Sequence, residues 1–414
     1  MNIHAPIEAN SRLYPYPKGP AVVICLDGCE PAYLDEALAA GLMPNLARIK
    51  AAGTDRLAHS VIPSFTNPNN LSIATGQPPR VHGICGNYLI DPETGDEVMM
   101  NDVKFLRAPT IFAQFYAQGA RVAVVTAKDK LRALLGAGLR FDEDRARCFS
   151  SEKSATTTLA EHGLDDAAGW LGRTQPDVYS AELSEFVFAA GVKLLRDWRP
   201  DVMYLTTTDF IQHTHAPGTP VANAFYAMVD RYLGELDAAG ACLAITADHG
   251  MKPKHNATGA PNVIYVQDLL DGWLGAGAAR VILPITDPYV VHHGALGSYA
   301  TLYLPAWAER GRIIDRLAAL DGVTLVLDRD AAVHRFDLPG DRIGDIVMIS
   351  GETMTLGTSA DRHDLAALTE PLRSHGGLTE QVVPFILNRP LDLPHAPELR
   401  NYDAFFYAAT AAAR

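Results

Sequence analysis

Acidic residues follow three of the most apolar segments of this chain, and histidines accompany two of these acids. The clearest case is the apolar run at residues 242–247, which ends at Asp248 and His249. Carboxylate and imidazole groups are common protein ligands of zinc. An Asp-His pair is also common in turns, so this segment becomes informative only together with the other two.

Two further apolar runs end in the same way. One precedes Asp27, and the other precedes Asp209, which His213 follows four residues later. A spacing of four residues places two side chains on one face of a helix. Three strand-like runs that each end in a carboxylate predict that a single metal site lies at one edge of one sheet.

His375 is a further candidate ligand, because it opens a flexible, glycine-rich segment. The six residues would suffice for two metal ions, which phosphoryl-transfer enzymes often hold about 4 Å apart. Each residue also has a purely structural interpretation: Asp27 as a turn or cap residue, Asp209 and His213 as a solvated helix start, and His375 as a loop residue. The joint pattern favours a metal site, because folding alone seldom requires three acids at three strand ends with neighbouring histidines.

A second candidate feature is a hydroxyl group near a predicted helix start. Asn67 is a suitable N-cap and Pro68 fits the first helical position, so the sequence places Thr66 just before a helix N-terminus. Free backbone N–H groups and the helix dipole favour anions there. A threonine hydroxyl needs a metal in order to attack at neutral pH, so Thr66 is the predicted nucleophile and Ser64 is its rival. Without the metal ligands, helix capping would be the preferred interpretation.

Strand-like and helix-like segments alternate along most of the chain. This order predicts βαβ units and an α/β fold with a mostly parallel sheet sandwiched by helices. Ligands of such sheets bind beyond the carboxyl ends of the strands. The predicted strands are residues 21–26, 122–126, 202–207, 242–247 and 383–387. The predicted helices are residues 35–52, with an interruption near Pro44, 181–198 and 221–239.

Residues 262–361 break this alternation and predict a small α+β cap. The cap would be inserted into a metal-binding α/β core that comprises residues 1–261 and 362–414. The segment contains one predicted helix, at residues 306–320. Its short predicted strands are residues 280–283, 298–304, 323–327 and 345–350.

The composition restricts the classes of function. The chain has 414 residues and a formal net charge of −13, which argues against a surface that binds nucleic acid. No segment reaches the ~18 consecutive apolar residues of a membrane span, and residues 1–20 do not resemble a secretory signal. Five scattered cysteines predict reduced thiols rather than a disulfide framework. We therefore expect a cytoplasmic protein without a membrane partner.

The order of these motifs resembles that of the alkaline phosphatase superfamily, over most of the chain outside the predicted cap. The matching motifs are Asp27-Gly28, the Thr66 segment, Asp209 with His213, Asp248-His249-Gly250 and His375-Gly376. The resemblance implies two zinc ions, with manganese or iron as alternatives, and it implies that Thr66 is a further ligand and the nucleophile. One ion would be held by Asp209, His213 and His375. The other would be held by Asp27, Asp248 and His249.

Within this superfamily, residues 65–70 and 126–131 resemble the phosphonoacetate hydrolase branch. The second segment contains Lys128 and Lys130 directly after a predicted strand, so both lysines would lie near the metals. Side chains at i and i+2 of an extended chain point the same way, and two ammonium groups there could clamp a small carboxylate. The alternative is a solvated Lys-Asp-Lys turn.

The resemblance implies cleavage of the carbon–phosphorus bond of phosphonoacetate to acetate and phosphate, through a phosphorylated Thr66. Asn87 and His215 are further candidates for contacts with the phosphoryl or carboxylate oxygens of this small anionic substrate. A phosphodiesterase or phosphomonoesterase of the same superfamily, acting on phosphate esters, is the alternative, and a phosphomutase is a further one. A homodimer is compatible with the sequence.

Overall fold

The fold is known from a computed structural model, which describes residues 5–286, 294–365, 368 and 370–414. The strands, in chain order, are β1 (Ile7–Ala9), β2 (Arg12–Tyr14), β3 (Ala21–Cys25), β4 (Thr54–His59), β5 (Tyr88–Ile90), β6 (Glu97–Met99), β7 (Val122–Thr126), β8 (Ala146–Ser150), β9 (Val202–Thr206), β10 (Cys242–Thr246), β11 (Lys252–Pro253), β12 (Val263–Tyr265), β13 (Arg280–Ile282), β14 (Tyr299–Tyr303), β15 (Val323–Asp328), β16 (Ile346–Ser350), β17 (Thr355–Gly357), β18 (Arg373–Ser374) and β19 (Val382–Leu387). The α-helices are α1 (Pro31–Ala39), α2 (Pro44–Ala52), α3 (Thr66–Thr75), α4 (Pro79–His82), α5 (Ile111–Ala117), α6 (Asp129–Leu135), α7 (Leu159–His162), α8 (Ala167–Leu171), α9 (Glu182–Asp197), α10 (Phe210–Thr214), α11 (Pro220–Ala238), α12 (Val266–Leu274), α13 (Arg310–Ala318), α14 (Arg329–Phe336) and α15 (Ala404–Ala412).

The central sheet has seven strands in the order β4-β19-β10-β3-β9-β7-β8. The strands β10, β3, β9, β7 and β8 are mutually parallel, and β19 runs antiparallel between β10 and β4. Every residue of β3, β7, β9 and β10 is buried, as expected for parallel strands that helices cover on both faces. This architecture confirms the predicted α/β fold with a mostly parallel sheet.

Four of the parallel strands end at the same edge of the sheet, which we call the carboxyl edge. The register pairs Cys25 at the end of β3 with both Thr206 of β9 and Thr246 of β10. It also pairs Thr206 with Thr126 at the end of β7. Because β19 runs the opposite way, it begins at this edge. The loops after the parallel strands and the loop before β19 therefore meet.

The helices around the sheet follow the predicted pattern with small shifts. The helices α9 and α11 closely match the predicted residues 181–198 and 221–239. The predicted helix 35–52 is two helices, of which α1 starts earlier, at Pro31, and α2 starts at Pro44. Proline is favourable at the first helical position, because its missing N–H has no helical partner there anyway. Within the described part of the chain, no helix is both long and apolar enough to cross a membrane.

A second sheet lies within residues 262–361. It is antiparallel, with the strand order β13-β14-β16-β15, and its strands match the four that the sequence predicts there. The helix α13 is a shorter version of the predicted helix 306–320. The helices α12 and α14 were not predicted, and α14 has few apolar residues to mark it. The sheet supports our proposal that residues 262–361 form an inserted cap, whose boundaries stay a prediction.

Candidate active site and metal centre

The carboxyl edge brings the predicted metal ligands together in two groups, because their strands end level with one another. What we call the Asp209 cluster consists of Asp209, His213 and His375. What we call the Asp27 cluster consists of Asp27, Asp248 and His249. In each cluster the candidate ligand atoms lie within 4.8 Å of one another.

The Asp209 cluster combines a helical pair with a residue from a distant loop. Asp209 is the N-cap of α10, and His213 follows one turn later, with its Nε2 2.9 Å from Oδ2 of Asp209. This is the predicted i, i+4 arrangement. Nε2 of His375 lies 3.6 Å from the same oxygen. His375 directly follows β18, and the antiparallel pairing of β18 with β11 places it beside Asp209 and His213.

The Asp27 cluster is almost completely shielded from solvent. Nε2 of His249 lies 3.3 Å from Oδ1 of Asp27 and 3.6 Å from Oδ2 of Asp248. Asp248 and His249 are fully buried, and Asp27 is 4% exposed. The rings of His249 and His375 stack with their centroids 3.5 Å apart, so the two clusters are direct neighbours. The arrangement offers six ligands to two closely spaced cations.

Backbone carbonyl groups orient all three histidines. Each Nδ1 lies at hydrogen-bonding distance from a carbonyl oxygen: His213 from that of Arg373 (2.8 Å), His249 from that of Gly250 (2.9 Å) and His375 from that of Ser64 (2.8 Å). A carbonyl oxygen can only accept, so each Nδ1 donates. Each ring therefore presents Nε2 to the candidate metal, and the ring orientation is fixed in advance.

At Asp27, burial and the neighbouring carboxylates outweigh the effect of the nearby His249 imidazole. Burial, followed by the neighbouring carboxylates of Asp209 and Asp248, raises the pKa of Asp27 well above its usual value. Among the described residues, the buried Oδ1 of Asp27 has no hydrogen-bond partner. Divalent cations would compensate the three carboxylates and use this unbonded oxygen. The residues at the carboxyl edge therefore fit two metal ions.

The surroundings of His249 and His375 shift their pKa values in opposite directions. Burial alone would lower the pKa of His249, but the neighbouring Asp248 and Asp27 raise it to about 10. Burial, together with the nearby His249 and His213, holds the pKa of His375 well below its usual value. Metals bind neutral imidazole. His375 is thus already in its ligating form, whereas a cation in the Asp27 cluster would take the place of the proton on His249.

Thr66 lies beside the Asp27 cluster at the start of α3. Its Oγ1 is 3.5 Å from Nε2 of His249, so the hydroxyl lies next to the candidate metal ligands. The helix begins at Thr66 itself with Phe65 as the N-cap, which corrects the prediction that Asn67 caps it. The reason is that Asn67 is fully buried and its Nδ2 donates to the carbonyl of Met100 at 3.3 Å.

The rival hydroxyl of Ser64 makes a structural hydrogen bond. Ser64 is fully buried, and its Oγ donates to the carbonyl of Gly377 at 2.8 Å. This bond ties the segment before α3 to the loop that carries His375. Thr66 therefore stays the predicted nucleophile.

A pocket at the carboxyl edge contains most of the predicted substrate contacts. Thr66, Asn87, Lys128 and Lys130 line it together with members of both clusters. His215 is outside the set of described lining residues, and its carbonyl accepts a hydrogen bond from the hydroxyl of Tyr33 at 2.7 Å. Its predicted contact with substrate stays a prediction without support from this geometry.

The two lysines reach the pocket from the start of α6 rather than from an extended chain. Lys128 is the N-cap, with φ −97° and ψ 136°, and Lys130 lies in the first helical turn. The predicted extended i, i+2 geometry is therefore wrong, because the helix already begins at Asp129, whose N–H donates to Glu152 at 2.8 Å. Nζ of Lys128 also lies 5.5 Å from the centroid of the Tyr179 ring, within the range of cation–π attraction.

Part of the pocket wall was not predicted from the sequence. The missed lining residues include Thr126, Leu131, Thr206, Thr207, Thr208 and Ile285. The run of three threonines directly before Asp209 was a usable signal, since hydroxyl groups at a strand end face the same edge as the metal ligands. Ile285 had no such signal, because it comes from the predicted cap.

Comparison with known proteins places this geometry in a family. A model of the type I phosphodiesterase/nucleotide pyrophosphatase family matches residues 21–378. Two crystal structures of phosphonoacetate hydrolase from Sinorhizobium meliloti 1021, in complex with phosphonoacetate and with phosphonoformate, share 72% sequence identity with this chain. Each match covers 98% of this chain and 99% of the other, with a TM-score of 0.96.

More distant relatives share the fold or a part of the sequence. The structure of murine ectonucleotide pyrophosphatase/phosphodiesterase 5 has a TM-score of 0.63 and 19% identity over 95% of this chain and 94% of the other, which is a likeness of fold alone. Ectonucleotide pyrophosphatase/phosphodiesterase family member 1 of Mus musculus is 24% identical over 251 residues. That match spans 56% of this chain and only 24% of the mouse protein. On the family model and the 72% identity, the chain belongs to the type I phosphodiesterase/nucleotide pyrophosphatase family of the alkaline phosphatase superfamily, together with phosphonoacetate hydrolase.

Proposed function

We propose that this chain hydrolyses the carbon–phosphorus bond of phosphonoacetate and releases acetate and phosphate. The observation that carries the proposal is the pocket, in which Lys128 and Lys130 lie together with Thr66, Asp27 and the Asp209 cluster. The Sinorhizobium meliloti enzyme, which is 72% identical, was crystallised in complex with phosphonoacetate. A substrate with a phosphonate at one end and a carboxylate at the other matches a pocket that has metal ligands and two ammonium groups.

The two clusters would hold two divalent metal ions. When bound, these ions supply positive charge that polarises the phosphonate oxygens and lowers the pKa of the attacking hydroxyl. We propose zinc, because mixed imidazole and carboxylate ligation suits it. One ion is assigned to Asp209, His213 and His375. The other is assigned to Asp27, Asp248 and His249, with Thr66 beside it.

Thr66 performs the first displacement. Its hydroxyl proton passes to solvent, Oγ1 forms a bond to phosphorus while the carbon–phosphorus bond breaks, and the electron pair of that bond passes to carbon. Because Thr66 is the first residue of α3, its backbone N–H and the positive end of this helix lie beside the phosphonate oxygens. The amide of Asn87, which lines the same pocket, donates to one of these oxygens.

The lysines act on the leaving group. A carbon–phosphorus bond has no bridging oxygen that could be protonated, so departure of the carbon is difficult. The adjacent carboxylate delocalises the electron pair as an enediolate-like species, with negative charge on its oxygens. Lys128 and Lys130 stabilise that species more than the bound substrate, which lowers the barrier, and a proton from water then completes acetate.

Water completes the reaction at phosphorus. Its oxygen forms a bond to phosphorus while the bond to Oγ1 of Thr66 breaks. Thr66 recovers a proton, and inorganic phosphate leaves. The sum of both steps is one water consumed for one acetate and one phosphate released.

Location and assembly are part of the same proposal. All five cysteines are buried and none is in a disulfide, which supports a cytoplasmic location. The expected partner is the small anionic substrate rather than nucleic acid or a membrane. A homodimer stays a prediction.

A substrate panel tests the proposed function. The panel consists of phosphonoacetate, p-nitrophenyl phosphate, bis-p-nitrophenyl phosphate and a sugar phosphate. We expect the highest kcat/KM for phosphonoacetate, because only this compound uses the metal ligands and the lysines together. Faster turnover of the diester would favour the phosphodiesterase alternative, which the family model and the mouse relative make the second candidate.

Replacing Lys128 or Lys130 with alanine should harm phosphonoacetate cleavage selectively. Each charge-assisted hydrogen bond is worth about 1.5–3 kcal/mol, so we expect kcat/KM for phosphonoacetate to fall about 10- to 150-fold. The change for p-nitrophenyl phosphate, which has no carboxylate, should be much smaller. Lys193→Ala is the matched control, because it removes a lysine charge from α9, where Lys193 pairs with Asp197 at 2.6 Å. Equal losses for both substrates would contradict the carboxylate clamp.

A further inference from the structure

Asn70 connects the nucleophile helix to a metal ligand. It lies one turn after Thr66 in α3 and is fully buried. Its Nδ2 donates to the backbone carbonyl of Thr66 at 3.0 Å and to Oδ2 of Asp248 at 3.2 Å. Its Oδ1 accepts hydrogen bonds from the hydroxyls of Tyr204 at 2.7 Å and Thr206 at 2.9 Å. Every polar atom of this side chain therefore has a partner.

The chemistry of these partners determines the orientation of the Asn70 amide. The carbonyl of Thr66 can only accept, so the NH₂ group must face it, and the same group reaches Oδ2 of Asp248. The amide oxygen then faces Tyr204 and Thr206, whose hydroxyls can donate. Because both hydroxyls come from β9, the central sheet itself sets the direction of the amide.

Asp248 is held by three donors. Its Oδ1 accepts from the backbone N–H groups of Gly28 at 3.2 Å and His249 at 3.0 Å, and its Oδ2 accepts from Asn70. The two backbone donors persist in any variant, whereas the Asn70 donor can be removed by substitution. Oδ2 is also the oxygen that lies 3.6 Å from Nε2 of His249, within the Asp27 cluster.

We propose that Asn70 is a positioning residue that holds the carboxylate of Asp248 in the geometry that the metal of the Asp27 cluster requires. Asn70 contacts a ligand rather than the substrate, and it also fixes the distance between that ligand and the start of the nucleophile helix. The inference rests on the proposed function, because it requires a metal in this cluster. Residues that orient metal ligands typically contribute about 10- to 100-fold to metal affinity.

Asn70→Leu tests this role. Leucine has nearly the size of asparagine but cannot donate to Asp248. We expect the affinity for zinc at one of the two sites to fall about 10- to 100-fold, measured by competition with a chromophoric chelator. The affinity of the Asp209 cluster should stay unchanged, because its carboxylate and imidazoles have other partners. The readout is metal affinity, so it does not depend on turnover.

Asn388→Leu is the matched control. Asn388 is a buried asparagine beside the other end of β10, where its Oδ1 accepts from the N–H of Leu243 at 2.8 Å and its Nδ2 donates to Ala241 at 2.9 Å. The substitution removes the same kind of buried amide far from the carboxyl edge. We expect a lower Tm with and without zinc, and two unchanged zinc affinities. In Asn70→Leu, by contrast, the rise in Tm on adding zinc should itself be smaller.

Tyr204→Phe gives a second, milder test. It removes one hydroxyl that orients the Asn70 amide and leaves the ring and Thr206 in place, so it is informative even if Asn70→Leu does not fold. We expect a smaller loss of zinc affinity at the same site. Unchanged affinity at both sites in Asn70→Leu and Tyr204→Phe, or equal loss at both sites, would overturn the role of Asn70. If the wild-type protein binds no metal, the proposed function fails as well. If the wild type binds metal and the variants keep its affinities, only the role of Asn70 fails.

Discussion

Thr66→Ala is expected to reduce turnover of phosphonoacetate by roughly 10⁴- to 10⁶-fold, the scale of loss when a nucleophilic hydroxyl is removed. Oγ1 of Thr66 lies 3.5 Å from Nε2 of His249, at the first position of α3 and in the pocket that both clusters line. Alanine leaves no atom that can form the bond to phosphorus. The measurement is kcat at saturating substrate, with the metal content of each preparation determined in parallel.

Two variants serve as controls for this experiment. Thr66→Ser keeps a hydroxyl at the same place, and we expect it to retain a substantial part of the activity. Ser64→Ala removes the rival hydroxyl, whose contact is the carbonyl of Gly377, and we expect turnover within a few-fold of wild type. Full activity of Thr66→Ala with metal bound, or complete loss in Ser64→Ala alone, would reverse the assignment of the nucleophile.

Removal of the metal ions is also expected to cause a large loss of phosphonoacetate turnover, like the substitution Thr66→Ala. Dialysis against a chelator should lower turnover at least roughly 10³-fold, since metal charge stabilises the transition state by several kcal/mol. Readdition of zinc should restore activity, whereas magnesium should not, because it prefers oxygen ligands to imidazole. The metal-free protein should also have a lower Tm, since a metal that binds only the folded state stabilises it, and the buried Asp27 and Asp248 then lose that partner.

The pH dependence of metal binding provides the accompanying check. The ligands bind metal in their deprotonated forms, so protons compete with metal and zinc affinity should decrease as the pH falls. The measurement is a titration of the zinc-loaded wild-type protein with a chelator at several pH values. Activity that survives complete metal removal, or zinc affinity that rises toward acidic pH, would contradict the two-metal site.

The sequence was sufficient to predict the part of the site that depends on strand ends. The three strands that precede Asp27, Asp209 and Asp248 were predicted as largely apolar runs, which is typical of buried parallel strands. Their acids meet because these strands are parallel and end level with one another. The i, i+4 pair of Asp209 and His213 followed from helical periodicity alone. Local pattern and sheet topology are therefore enough to bring these ligands together.

Contacts between distant residues could not be predicted in this way. The hydrogen bond of Asn70 with Asp248 joins residues 178 positions apart, and the fully buried ion pair of Lys254 with Glu380 joins residues 126 positions apart. Neither has a periodicity or a spacing that would show it in one sequence. The N-cap of α3 was misassigned for the same reason, since Asn67 is used in a tertiary contact rather than as a cap.

Glu380 shows how such distant contacts support the ligand loops. Its Oε2 accepts from the N–H of Gly377, and its backbone carbonyl accepts from the N–H of Gly250, which follows His249. Nζ of Lys254 donates to Glu380 at 2.9 Å and to the carbonyl of Glu352 at 2.7 Å. One buried residue thus links the loops of both clusters with the segment predicted to form the cap.

Selectivity within the family is expected to reside outside the metal ligands. In the proposed mechanism the metal centre would act on a phosphoryl group, which phosphonates and phosphate esters share, so it would not distinguish them. Lys128 and Lys130, at the start of α6, are the lining residues suited to a carboxylate. Leu131 and Ile285 contribute apolar wall to the same pocket and leave it suited to a small substrate.

The central claim is most directly tested by analysing the products of the purified wild-type protein with phosphonoacetate by phosphorus and proton NMR. The account predicts that the phosphonate resonance disappears and that one inorganic phosphate and one acetate appear for each molecule consumed. Intact phosphonoacetate after incubation with zinc-loaded protein that hydrolyses bis-p-nitrophenyl phosphate in the same buffer would contradict the account.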